Sequence, residues 1–203
     1  MSAWDEWREE TFGTPYLVWH DGIDPGRFGS LPPEARQRVL ALLPAGIGAG
    51  DWLAAVGLRM LGAVDLVPLL EETLAQAGGR LAVEAARAVI ALGGDRERAT
   101  AAVLRARFDP AWSERMAVVI GMRHIGGDEM VAALLEQVAE DSDYLVRYHA
   151  AESLLHLGSV EPTSISEHRE IFDELSADSD GDGAAEARER HRKAAAALAA
   201  LVR

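Results

Sequence analysis

The chain has 203 residues, 20 of them basic and 33 acidic, giving a net charge of −13, and 49% are hydrophobic. That length and apolar content suit one domain or one compact repeat array and exclude global disorder. The lack of cysteine excludes disulfides, cysteine-based zinc sites and thiol nucleophiles, and so negative a surface argues against nucleic acid as a partner, because it repels phosphate backbones.

The start, Met1 to Glu10, is acidic and has no apolar core, so no signal peptide is expected. No apolar run is long enough to span a membrane, and a soluble, cytoplasmic protein is the expectation. Residues 1–49 read as an aromatic-rich N-terminal cap with one helix. The first 28 residues hold Trp4, Trp7, Phe12, Tyr16, Trp19 and Phe28. One reading is a cap folded over the first helix pair, since large aromatics are usually buried. The other is a docking surface, since Trp and Tyr are common anchor residues at interfaces; Trp4, Trp7 and Trp19 are its candidates. Trp4 and Trp7 lie three apart and share a helical face. Pro32-Pro33-Glu34 opens a helix running to Leu43, with proline in the first turn, read as the second helix of a degenerate first repeat.

Over residues 50–176 an apolar residue followed by glycine recurs at Leu61-Gly62, Leu92-Gly93, Ile125-Gly126 and Leu157-Gly158. The spacing is close to 32 residues, within the range of helical repeats. Aligned on these glycines, other columns agree. A small residue stands four before each apolar-Gly pair, at Gly57, Ala88, Gly121 and Ser153. Next to it is an apolar column at Leu58, Val89, Met122 and Leu154, and upstream lie Ala54-Ala55, Ala85-Ala86, Val118-Val119 and Ala150-Ala151. Val146, Ala150, Leu154 and Leu157 form one stripe of a helix, small residues admit a close neighbour, and glycine supplies the left-handed residue that ends the helix. A second amphipathic helix follows, over Asp65 to Ala77, Asp95 to Arg107 and Asp128 to Glu140, with Asp65, Asp95 and Asp128 placed to cap its start. The fold class is therefore all-α, an α-solenoid of antiparallel helix pairs.

Val146-Arg147-Tyr148-His149-Ala150-Ala151-Glu152-Ser153-Leu154-Leu155-His156-Leu157-Gly158 resembles the HEAT-like repeat of the phycobilin-lyase type, V-R-x-x-A-A-x-A-L-x-x-L-G. Arg115 occupies the column of Arg147. The resemblance implies that this arginine bridges to an acidic residue of an adjacent repeat. The column holds Asp51 and Ala82 in the earlier repeats, which confines such a ladder to the C-terminal half.

Residues 177–183 form an acidic linker and 184–203 an alanine-rich helix capping the last repeat. Asp178, Asp180, Asp182, Gly183 and Glu189 fit D-x-D-x-D-G-x5-E, which resembles an EF-hand calcium loop. Position 8 of that pattern is Ala185 and the chain has no second such loop; an acidic Ser/Gly/Asp stretch is also an ordinary solvated linker. No cofactor is expected, with calcium the one candidate. His149, Glu152 and His156 share a helix face, and His124 stands in the column of His156. A metal or acid–base cluster is one reading, and a solvated flank beside the apolar stripe is the favoured one.

The residues carry no recognisable enzyme signature. Deoxyhypusine hydroxylases share this architecture but hold iron with His-Glu pairs, and no His-Glu dipeptide occurs here. HEAT-type alkylpurine DNA glycosylases need a basic groove. Phycobilin lyases need a bilin pocket, which nothing in the residues identifies. No phosphate loop or nucleophile motif is present. The expectation is a protein-interaction module (adaptor, assembly factor or toxin-neutralising partner) working through a concave face of second helices; the negative charge suits a basic protein surface on that partner or, as the favoured reading, simply solubility. Glu71, Glu72 and Arg96 are its candidate contacts there, with Arg98 and Glu136 nearby on the same helices. The alternative is an accessory enzyme of a biosynthetic pathway, with the groove as a small-molecule pocket.

Overall fold

The computed structural model describes residues 2–14, 16, 18, 23–177 and 183–202. All regular structure among them is helical. The helices pack in sequential pairs, the arrangement of a HEAT α-solenoid. No helix among the described residues is long and apolar enough to cross a membrane. By backbone contacts the chain divides into two compact units, residues 1–102 and 103–203.

The first unit contains α1 (Ala3–Phe12), the single turn α2 (Gly26–Gly29), α3 (Pro33–Gly48), α4 (Trp52–Met60), α5 (Val67–Leu74) and α6 (Gly79–Ala91). Its helix pairs assemble as the small-residue column requires. α4 packs against α6, the first helices of consecutive repeats side by side, and α5 lies against α6. α3 packs on α4, and α1 on α3. The core is Leu53, Ala54, Ala55, Leu58, Leu70, Leu74, Ala82, Ala85, Ala86 and Val89. Gly57 carries the close approach: a Cβ there would stand 2.7 Å from both Leu43 and Phe28.

Helix α7 (Arg96–Ala106) crosses the boundary between the units and buries Ala99, Ala102, Val103 and Ala106. The second unit continues with α8 (Trp112–Met122), α9 (Asp128–Glu140), α10 (Tyr144–Leu157), α11 (Arg169–Leu175) and α12 (Ala184–Leu201). α8 packs on α10, and α9 on α10. α12 runs along α9, the second helix of the preceding repeat, and also touches α10 and α11. It therefore lies where a second helix partnering α10 belongs. The stretch between α10 and α12, which carries α11, is an insert within that pair.

Local signals explain the boundaries. Asp51 caps α4 by accepting from Leu53 N, and Asp143 caps α10 by accepting from Leu145 N and Val146 N. Of the aspartates expected to cap the second helices, Asp95 does so, its Oδ1 accepting from Arg98 N at 3.0 Å. Asp128 is the first residue of α9, where its charge favours the helix dipole without a cap bond. Asp65 falls in a 3-10 turn (Val64–Leu66) ahead of α5 and caps nothing, because Pro68 sets the helix start two residues later.

Three of the four phasing glycines take the left-handed conformation that ends a helix: Gly62, Gly93 and Gly126, at φ 65°, 82° and 70°. The fourth differs. Gly158 has an ordinary φ of −78°, and Ser159, at φ 52°, makes the left-handed step one residue later. Gly158 is needed for another reason: a Cβ there would stand 2.8 Å from Val202 Cβ and 2.9 Å from its Cα. The glycine lets the end of α12 close onto the end of α10.

Candidate interaction surfaces

The N-terminal aromatics build a nest. Trp4 is only 1% exposed, and its ring lies against Gly46 of α3, where any Cβ would stand 2.7 Å away. Its indole N–H donates to Asp51 Oδ2 at 3.0 Å. Trp7 is half-buried, with ring centroids 5.4 Å from Trp4, 5.8 Å from Phe12 and 5.6 Å from Phe28. This is the cap arrangement, and it takes both the face and the polar edge of Trp4 into the first unit. Trp19 lies outside the described residues. Asp51 also receives Arg8, whose Nε stands 3.0 Å from Oδ2. The aspartate that interrupts the arginine column thus gathers an indole, a guanidinium and a helix start.

Glu71 and Glu72 diverge, as neighbours on a helix must. Glu71 Oε1 accepts from Asp95 N at 2.9 Å and ties α5 to the approach of α7. Exposed Glu72 lines an open groove of ≈ 400 Å³ with Pro44, Ile47, Leu69, Thr73 and Leu81. Arg96 is exposed at the start of α7. Sequence reasoning missed a cluster on the first helices. Glu84, 8% exposed, receives Arg87 at 2.9 Å and Arg59 at 3.7 Å. Burial, and then the Arg87 charge, lowers the Arg59 pKa.

The arginine column of the second unit forms the bridge that the resemblance implied. Arg115 Nε and Nη2 donate to Asp141 Oδ2 and Oδ1 at 2.8 and 3.0 Å, 26 residues ahead. Its Nη1 donates to the carbonyls of Asp109 and Pro110. Arg147 repeats the pattern on backbone carbonyls: Nη1 reaches those of Asp141 and Ser142, Nε that of Leu175 and Nη2 that of Ala177. The hydrogen bonds to Asp141 raise the Arg115 pKa above the usual guanidinium range. Gln137 and the Arg107–Glu136 pair (2.7 Å) complete the ladder around an open groove of ≈ 380 Å³. The charged groups of this groove are largely engaged with one another, which suits a structural role.

Beside the ladder lies apolar surface. Phe108 is 62% exposed, Trp112 46%, Leu145 39% and Tyr144 37%. They border the two turns that Arg115 ties together. On α10, Tyr144 and Tyr148 have ring centroids 6.0 Å apart, and Phe172 of α11 meets Tyr148 edge-on at 6.4 Å.

His149, Glu152, His156 and His124 separate into two pairs. His149 Nδ1 stands 3.3 Å from Glu152, while His156 faces His124 at a centroid distance of 6.4 Å. Among the described residues no group of three or more His, Cys, Asp and Glu is placed to hold a metal ion. Asp178, Asp180 and Asp182 lie outside the described residues, and Glu189 is exposed on α12.

Residues 67–155 match the HEAT repeats family. The matched HEAT segment runs from α5 into α10 and holds the arginine bridge, Glu71, Glu72 and Arg96. The aromatic nest, α11 and α12 lie outside it. No curated protein and no solved structure matches the chain.

Proposed function

We propose that this chain is a non-enzymatic protein-interaction module that uses the surface of its HEAT segment and adjoining helices to hold another protein. The observation that carries this reading is the exposed apolar set Phe108, Trp112, Tyr144 and Leu145, presented along two successive inter-repeat turns. Large side chains kept at a surface mark contact sites more often than catalytic ones. The ionisable groups beside them, Arg107, Arg115, Glu136 and Asp141, are taken up by ion pairs and backbone carbonyls, so they offer no free acid–base set. Glu72 and Arg96 are candidate contacts on the second helices, with Trp7 at the edge of the nest. The V-R-x-x-A-A column of the last repeat supports a phycobilin-lyase-type form of the repeat.

An affinity pull-down with chemical cross-linking and mass spectrometry tests the reading. The expected result is a stoichiometric protein cross-linked to residues near Trp112 or Tyr144. A tightly bound small molecule, with no protein partner, would overturn it in favour of an accessory enzyme that uses the Glu72 groove as its pocket.

A further inference from the structure

The proposed interaction reading can be deepened at one place. We propose that the tyrosine row of α10 and α11 receives an arginine-rich segment of the partner protein.

The row is Tyr144, Tyr148 and Phe172, each ring touching the next. Tyr144 is more than a third exposed, and Leu145 beside it equally so. Residues four apart on a helix share a face, so the stripe of Tyr144 and Tyr148 continues to Glu152. The insert that supplies Phe172 is acidic. Residues 161–174 contain Glu161, Glu167, Glu170, Asp173 and Glu174 against a single cation, Arg169. Glu161, Glu167, Glu170 and Asp173 are exposed, and Glu174 pairs with Arg190.

Aromatic faces flanked by carboxylates select a flat, weakly hydrated cation. A guanidinium lies over a ring and offers its edge to a carboxylate at the same time. A phosphate backbone would be repelled, and a purely apolar helix would strip water from the carboxylates with nothing to replace it. The chain already uses this contact elsewhere, at Arg107 over Phe108 (4.3 Å) and, more closely, in the first unit. The guanidinium of Arg80 lies 3.4 Å from the ring centre of Trp52. Trp52 and Tyr148 stand in the same register, each ten residues before the phasing glycine of its repeat, Gly62 and Gly158. In the first unit the chain supplies that arginine itself. In the second, the equivalent ring sits beside an acidic insert and accepts one from outside.

The probe is a fluorescein-labelled twelve-residue peptide of alternating arginine and serine, compared with its lysine counterpart of equal charge. Fluorescence anisotropy is read at low and at physiological salt. The intact chain should bind the arginine peptide several-fold tighter than the lysine peptide. Tyr144→Leu with Tyr148→Leu keeps the apolar bulk and removes the π faces. It should weaken the arginine peptide by about five- to ten-fold, the scale of two exposed cation–π contacts, and abolish the difference between peptides. Glu170→Lys with Asp173→Lys, at exposed sites, should weaken both peptides and serves if the tyrosine variant does not fold. Equal affinity for the two peptides in the intact chain, or binding unchanged in the charge-reversed variant, overturns the proposal. A partner that cross-links to the chain but is retained by these variants overturns this site alone; absence of any protein partner overturns the interaction reading beneath it.

Discussion

Arg115 holds Asp141 through two parallel hydrogen bonds that span one repeat, from the start of α8 to the turn before α10. The aspartate side chain is nearly inaccessible, and Gln137 Nε2 and Asp143 N complete its shell. The pair fixes the spacing of two successive turns, because both ends of the bridge are also bonded to turn backbone.

Removing the arginine alone should be more damaging than removing the charge of its partner. Arg115→Ala leaves a buried carboxylate facing only neutral donors and is expected to cost about 3 kcal/mol. Asp141→Asn keeps an acceptor and should cost less. Urea denaturation followed by circular dichroism gives both values; equal losses would mean that Asp141 draws little from the guanidinium. Arg115→Lys should not restore the parent stability, since an ammonium cannot make the forked contact.

Gly158 and Gly62 should respond differently to the same substitution. Gly158→Ala places a Cβ against Val202 and should cost about 1–3 kcal/mol through overpacking. A chain ending at Leu201 should tolerate it. Gly62→Ala meets open space but a φ of 65°, so its cost, about 1–2 kcal/mol, comes from the backbone and should survive that truncation. Thermal melts of both variants and the parent, each with and without the truncation, separate the two causes.

Trp4 and Asp51 are coupled. Trp4→Phe removes the indole donor, and Asp51→Ala removes the acceptor together with the cap of α4 and the Arg8 contact. A double-mutant cycle should give about 1 kcal/mol of interaction energy, that of one partly buried hydrogen bond. A value near zero would show that the tryptophan is held by packing alone.

His191 of α12 is buried, with Nε2 2.9 Å from the Ala177 carbonyl. Burial outweighs that hydrogen bond and lowers its pKa below the ordinary value, with Arg147 and Arg190 adding to the shift. The folded chain therefore binds this proton less readily than the unfolded one. Its contribution is intact above the unfolded pKa, about 6.5, and stability is lost as pH falls from there towards the folded value. The melting temperature should fall more between pH 7 and pH 5 for the parent than for His191→Gln. Parallel pH profiles would remove His191 from the pH response.

Calcium titration settles the reading of residues 178–189. As a solvated linker the segment should release no heat with calcium by calorimetry. Heat that disappears in Asp178→Ala would install the EF-hand reading in its place.

The sequence made the HEAT segment legible because its signals are local and periodic. Gly62, Gly93 and Gly126 mark helix ends by backbone conformation, and the column containing Gly57 and Ser153 is buried because neighbouring helices must approach. Arg115 was readable from its alignment with Arg147. Asp51 was not, since its indole partner lies 47 residues away and no spacing rule pairs them. The place of α12 was also hidden, because the insert that carries α11 breaks the period just where the last pair would have declared itself. Gly158 looked like its three counterparts, and its contact with Val202 belongs to a segment outside the repeat.

The insert between α10 and α12 also offers an engineering opportunity. Lengthening a surface connection costs little entropy, about 0.6 kcal/mol for each doubling, and here both flanking helices have their own packing partners. An epitope or fluorescent reporter grafted near Thr163, which is exposed, would ride on the second unit without re-threading any helix. It would stand in the same insert as Phe172, positioned to register a partner's arrival.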